Sequence, residues 1–140
     1  MATLLAHIRI QPGRESAFED ITRDMVAKAF EHETGVIRYE YWRGREPGFY
    51  YCLLSFPDNL SFWRHQASDH HEGQMERFAE CIAELDLEVV DPVHRAAPLP
   101  STRAEYCPTD ESLSVREQAQ LYPIAVLEWW ERLRGQIASH

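Results

Sequence analysis

From Thr3 to Ile10 apolar and polar residues alternate, with Leu4, Ala6, Ile8 and Ile10 on one face and Leu5, His7 and Arg9 on the other, which is the period-2 pattern of a strand. Gln11-Pro12-Gly13 ends it. Phe18, Ile21, Met25 and Ala29 then recur every three or four residues and predict an amphipathic helix stopped by Gly35. Val36 to Arg43 alternates again, Ile37, Tyr39 and Tyr41 against Arg38, Glu40 and Trp42, and beyond the turn Arg45-Glu46-Pro47-Gly48 the run Phe49 to Phe56 is almost continuously apolar. Asp58 or Asn59 caps a short helix to about Gln66. Ser68 or Asp69 caps a longer one with the stripe Met75, Phe78, Ile82 and Leu85, weakened near its start by Gly73. Leu87 to His94 closes the pattern as a strand that Pro92 places at an edge or terminus.

Strand, helix, two strands, helix, strand is the order of a split βαβ unit, an α+β fold with an antiparallel, ferredoxin-like sheet. Helices cover only one side of such a sheet, whereas Phe49 to Phe56 asks for cover on both. A second subunit is the simplest cover, so a homodimer through the sheet faces is expected.

Beyond Arg95 the composition changes. Pro98, Pro100 and Pro108 mark a linker draped on the surface, Ser114-Val115-Arg116-Glu117 fits a capping box, and Pro123 opens a final helix with Ile124, Leu127, Trp130 and Leu133 on one stripe before Gly135. That helix is too short to stand alone, so Trp129 and Trp130 are expected to dock on the core or on a partner subunit. The chain therefore divides into a domain over residues 1–97 and a helical extension over 98–140.

A net charge of −9 without a run of Lys or Arg argues against a nucleic-acid partner, which needs clustered cations. No apolar stretch reaches the roughly 20 residues of a membrane span, and the N-terminus lacks a basic region followed by an apolar run. A cytoplasmic protein is the expectation. Cys52, Cys81 and Cys107 are odd in number and far apart, without a CxxC pair, and read as reduced packing residues.

Chemistry concentrates in a His-rich turn. His65 stands four residues before Asp69, one helical turn, so the carboxylate is placed to hold one imidazole tautomer. His70 and His71 are adjacent and about 100° apart on a helix, a poor spacing for metal ligands, and no metal site is expected. Tyr39, Tyr41, Tyr51 and Phe49 are the aromatics available to line a pocket for a planar ring, or else to fill the core. Arg9, opposite the helices, calls for a carboxylate partner such as Glu40 or Glu88.

Ile10-Gln11-Pro12-Gly13, then Tyr39-Glu40, then the stretch Ser55 to His65 (SFPDNLSFWRH) followed by His70, resemble the antibiotic biosynthesis monooxygenase domain over residues 2 to about 95. The resemblance implies a ferredoxin-like fold that pairs sheet to sheet as a dimeric α+β barrel. It further implies oxidation of an aromatic polyketide or quinol by dioxygen without flavin, haem or metal, the electrons coming from the substrate. His65 occupies the position of the family's helix histidine and His70 that of the histidine five residues later, which makes them the candidate catalytic residues. Tyr39, Tyr51, Phe56 and Trp63 are the candidate residues for a small aromatic substrate. Leu54 and Phe56 stand where the family usually has Glu and Trp, which removes the usual carboxylate partner of a histidine. The Asn, Trp and His of haem-degrading relatives fall on Ala6, His65 and Met75, so that chemistry is not implied. A non-catalytic small-molecule-binding or stress-related dimer is the alternative, and isomerase or lactone chemistry on the same barrel stays open.

Overall fold

The computed structural model describes residues 1–138. Its elements are β1 (Ala2–Ile10), α1 (Glu15–His32), β2 (Arg38–Arg43), β3 (Phe49–Phe56), α2 (Asn59–Ala67), α3 (Asp69–Glu72), α4 (Met75–Cys81), β4 (Ile82–Val90), α5 (Leu113–Leu121) and α6 (Glu128–Ala138). The sheet is antiparallel in the order β2-β3-β1-β4, the arrangement of a split βαβ unit.

Register sorts the sheet into two unlike faces. Ala2↔Phe56, Leu4↔Leu54, Ala6↔Cys52 and Ile8↔Tyr50 share the inner face, and Tyr39 and Tyr41 continue it on β2. The core forms there, where Phe18, Ile21, Met25 and Ala29 of α1 are buried as the helical stripe requires. The outer face carries Leu5, His7 and Arg9 beside Leu53, Tyr51 and Phe49. On that face Arg9 pairs with Glu84 at 2.6 Å rather than with Glu40 or Glu88, because Glu84 is its cross-strand neighbour on β4 and Glu40 is held by Arg38.

Several boundaries differ from the sequence expectation, each for a local reason. Ile82 and Leu85 belong to β4 and not to the preceding helix. Ile82 to Val90 fits both a helical and an alternating pattern, and pairing along β1 from Ile10↔Ile82 to Thr3↔Val90 decides for the strand. The long helix expected after Ser68 is two short ones. Ser68 is extended and caps α3 through His71 N–H, and Gly73 and Gln74 separate α3 from α4. Helix α1 ends at His32 with Glu33 already extended, so Gly35 does not cap it. Gly35 is favoured by close approach instead, since a Cβ there would lie 2.9 Å from Ser61 Oγ and 3.2 Å from Ser61 Cβ, and the Ser61 side chain would have to move. In the tail, Ser112 rather than Ser114 caps α5, and the last helix begins at Glu128, past Pro123, and runs through Gly135.

The tail is also more than a draped linker. Thr102 is fully buried, its N–H donating to the Asp91 carboxylate at 3.0 Å and its Oγ1 to Val90 O at 2.8 Å, while Arg103 N–H donates to Met1 O. Arg134 of α6 donates to Asp91 and to Thr102 O, and Trp130 is buried. Helix α5 packs on α2, where Trp63 Nε1–H donates to Tyr122 O at 2.9 Å and Phe62 meets the Tyr122 ring edge-on. Among the described residues no helix is long and apolar enough to cross a membrane.

Replacing Trp63 by Phe keeps the apolar bulk and deletes the bond to Tyr122. The expected cost is about 1 kcal/mol in urea unfolding, with faster amide exchange in α5, because a part-buried carbonyl loses its donor. Unchanged stability and exchange would mean that the tail is held elsewhere.

Candidate functional site

Helix α2 turns Phe62, Trp63, His65 and Gln66 inward, and the imidazole of His65 reaches the inner sheet face with 1% of its surface exposed. Tyr39 meets it edge-on at a centroid distance of 5.0 Å, and Phe56 packs at 5.3 Å. His65 Nδ1 lies 2.9 Å from Glu33 Oε2 and 3.1 Å from Oε1. His70 Nε2 approaches the same Oε2 to 2.5 Å. Ser68, at the break between α2 and α3, donates its hydroxyl to His65 O and lies 3.2 Å from His70 Nε2.

Burial pushes the Glu33 carboxyl up, but the hydrogen bonds and charges of His65 and His70 outweigh it and leave the group below its ordinary value. Glu33 is therefore an acceptor only. His65 Nδ1 must carry the proton it donates, which in the neutral ring leaves the lone pair on Nε2. That Nε2 is buried and has no hydrogen-bond partner among the described residues. A base with a bare lone pair, a tautomer held by a carboxylate and an apolar ring environment is thereby assembled from α1, α2 and α3. Glu33, His65 and His70 also present ligand atoms that all lie within 4.8 Å of one another, a donor set able to hold a metal ion.

Two voids lie beyond Tyr39, the ring that meets His65, and neither is lined by Glu33, His65 or His70 themselves. One, of about 110 Å³, lies between the inner sheet face and the helices and is lined by Met25, Tyr39, Tyr41, Cys52, His71 and Phe78 among others. The other, an open groove of about 770 Å³ between α1 and the free edge of β2, is lined by Val26, Tyr39, Tyr41, Trp42, Glu19 and Arg43 among others. Tyr39 and Tyr41 wall both, and their hydroxyls are 3.2 Å apart. Burial first, then the neighbouring Cys52, raises the Tyr39 phenol, and burial raises Tyr41 well above its ordinary value, so both stay protonated and serve as hydrogen-bond donors. On the groove wall a hydrogen bond from Arg43, joined by one from Tyr50, holds the Glu19 carboxyl down to about 2.

The structure brings together His65, His70, Tyr39 and Phe56 of the residues named from the sequence. It does not bring Tyr51 or Trp63 to them. Tyr51 stands on the outer sheet face, 43% exposed and edge-on to His7, because it is out of phase with Tyr50 and Cys52 on β3. Trp63 is buried on α2 but turned to the C-terminal segment. Asp69 does not orient His65, since the helix breaks at Ser68 and the expected four-residue pairing is lost. Glu33 takes that role across 32 residues of chain. No local spacing marks it, for it stands just past the end of α1 among other polar residues.

His71 closes the cluster, its Nδ1–H donating to Gln66 O and its ring 5.0 Å from that of His65. Burial, and then the neighbouring His65, pull its imidazole down to about 4. An unfolded chain takes up this proton near pH 6.5, whereas the folded one resists until about 4. Stability should therefore fall as the pH drops through that window, by up to about 3 kcal/mol from this group. Urea unfolding of wild type and His71→Gln across pH 7 to 4 checks it, with a flatter slope expected in the variant; parallel slopes would exclude His71 as the source.

The family model for antibiotic biosynthesis monooxygenase matches residues 1–85. Among solved structures, a Pseudomonas aeruginosa protein superposes with a TM-score of 0.60 at 22% identity, over 66% of this chain and 93% of its own. A structure titled antibiotic biosynthesis monooxygenase gives 0.60 at 19%, over 66% and 99%. A Mycobacterium tuberculosis protein gives 0.61 at 16%, over 69% and 98%. At these identities the likeness is one of fold. No curated protein matches the chain.

Proposed function

Since the chain belongs to the antibiotic biosynthesis monooxygenase family, we propose that it is a cofactor-independent monooxygenase, oxidising a phenolic or quinol ring of the aromatic-polyketide kind with dioxygen. The observation that carries this reading is the buried His65, with Nδ1 on ionised Glu33 and Nε2 unpartnered. Nε2 takes a proton from the substrate, and Glu33 stabilises the resulting imidazolium. The carbanion or phenolate so formed is electron-rich enough to react with dioxygen. For an anthrone-type methylene, one oxygen atom becomes the new carbonyl and the other leaves as water, the substrate supplying both electron pairs. The protein's task is binding, a base and exclusion of water.

His70 is the second donor that keeps the Glu33 carboxylate in place, and Ser68 fixes His70. Tyr39, protonated and edge-on to His65, borders both voids and is the hydrogen-bond donor placed to hold a substrate oxygen. Phe56 supplies the apolar wall on the His65 ring. The groove is large enough for a fused-ring substrate, typical ligand pockets being about 300–1,000 Å³. Trp42, Phe49 and Tyr51 are all more than 40% exposed on the outer sheet face, which supports pairing of two copies through that face, with Tyr51 in the interface rather than on the substrate. Trp63 serves the fold by holding the tail.

That the buried His65 lines neither void favours a second reading, a dimer that binds a small aromatic molecule in the groove without turning it over. Oxygen uptake by the metal-stripped protein with quinols and anthrone-type phenols separates the two. Under the first, His65→Ala loses at least about 100-fold in rate, the usual weight of a general base, and Glu33→Gln lies between it and wild type. Uptake indifferent to His65 would remove the base, and saturable binding without uptake above the uncatalysed rate would establish the binding protein.

A further inference from the structure

Glu33, His65 and His70 come from the end of α1, from α2 and from α3, yet two imidazole nitrogens converge on one carboxylate oxygen at 2.9 and 2.5 Å. Two hydrogen bonds are one use of that convergence. Two imidazoles and a carboxylate are also the three-ligand set of a zinc-type site with a fourth position left open. Bond lengths of about 2.0–2.1 Å place tetrahedral ligand atoms about 3.3 Å apart, so Glu33 Oε2, now 2.9 and 2.5 Å from the two rings, has to separate from them by less than about 1 Å, within a cluster whose ligand atoms all lie within 4.8 Å of one another. His70 sits on a four-residue helix and is the ligand free to adjust. The side chains of Glu33 and His70 are 16% and 14% exposed against 1% for His65, so an ion reaches the cluster from the Glu33 and His70 side.

We propose that Glu33, His65 and His70 form a binding site for a zinc-type divalent cation, and that its occupation switches off His65 as a base. The coupling follows from the protons. In the metal-free cluster His65 carries its proton on Nδ1, facing Glu33, and keeps the lone pair on Nε2. An ion bound at Nδ1 takes that lone pair position, and the proton of the neutral ring moves to Nε2. His70, which donates from Nε2 to Glu33 in the metal-free cluster, likewise moves its proton to Nδ1 when Nε2 binds the ion. A substrate proton then has no acceptor, so the bound ion and base catalysis exclude each other. His65 Nε2 has no hydrogen-bond partner, which leaves its N–H unsupported in the metal-bound form. Loss of such an outer partner weakens a site about 10- to 100-fold, and the occupation is accordingly reversible. The binding stands on the three side chains alone; only its effect on turnover rests on the reading of His65 as the base.

Metal-stripped full-length protein is titrated with Zn²⁺ in competition with a chromophoric chelator, and the histidine rings are followed by ¹⁵N NMR. One equivalent is expected to bind, at least about tenfold weaker in Glu33→Gln and in His70→Ala. His94→Gln, an exposed histidine elsewhere, should match wild type. On binding, the His65 Nε2 signal moves from the lone-pair range to the N–H range. Circular dichroism verifies that the variants are folded, and if Glu33→Gln is not, His70→Ala decides alone. Less than one equivalent, or wild-type affinity in His70→Ala, overturns the site. Binding without any oxygen uptake by the metal-free protein keeps the site and removes the base reading. Uptake that continues with one equivalent bound overturns the switch.

Discussion

The Glu33 carboxylate and the two imidazoles on it are the interaction on which the rest of the site depends. A half-buried carboxylate costs free energy unless it is paired and hydrogen-bonded, and here two N–H donors supply that compensation. The same bonds tie the end of α1 to α2 and α3 and leave His65 with one proton position. Removing one partner leaves the others buried and uncompensated, so fold and chemistry are coupled at this point.

Around that cluster the sheet supplies two different surfaces by the period of its strands. Tyr39, Cys52, Leu54 and Phe56 face inward and make the apolar floor on which His65 rests. Tyr51 and Phe49, one residue out of phase with Tyr50 and Cys52, face outward and remain exposed. The aromatic content of β2 and β3 is therefore shared between a site wall and an outer face, and their proximity in sequence says nothing of which serves which. The tail adds a third use of aromatics. Trp63 and Tyr122 join α5 to the side of α2 away from His65, so one short helix carries His65 on one side and the anchor of the extension on the other.

The alternation over Thr3 to Ile10, the stripe of Phe18, Ile21, Met25 and Ala29, and the turn at Pro47-Gly48 were readable because each is a local consequence of backbone period or turn chemistry. They determined the order of elements, and with it an α+β fold of the antibiotic biosynthesis monooxygenase family. His65 and His70 stood out as candidates from their place in the family pattern, and both meet Glu33. Glu33 itself did not stand out. Its pairing with His65 spans 32 residues and depends on where α1 stops, which the Gly35 signal misplaces. The fate of Ile82 was equally closed to the sequence, because its segment satisfies two periods and only the open edge of β1 chooses between them. Sequence alone thus determined the elements, their order and the chemistry available. The tertiary structure decided which carboxylate meets which imidazole and which aromatics share a face, since those pairings are set by where helices end and how strands register, and neither is a property of neighbouring residues.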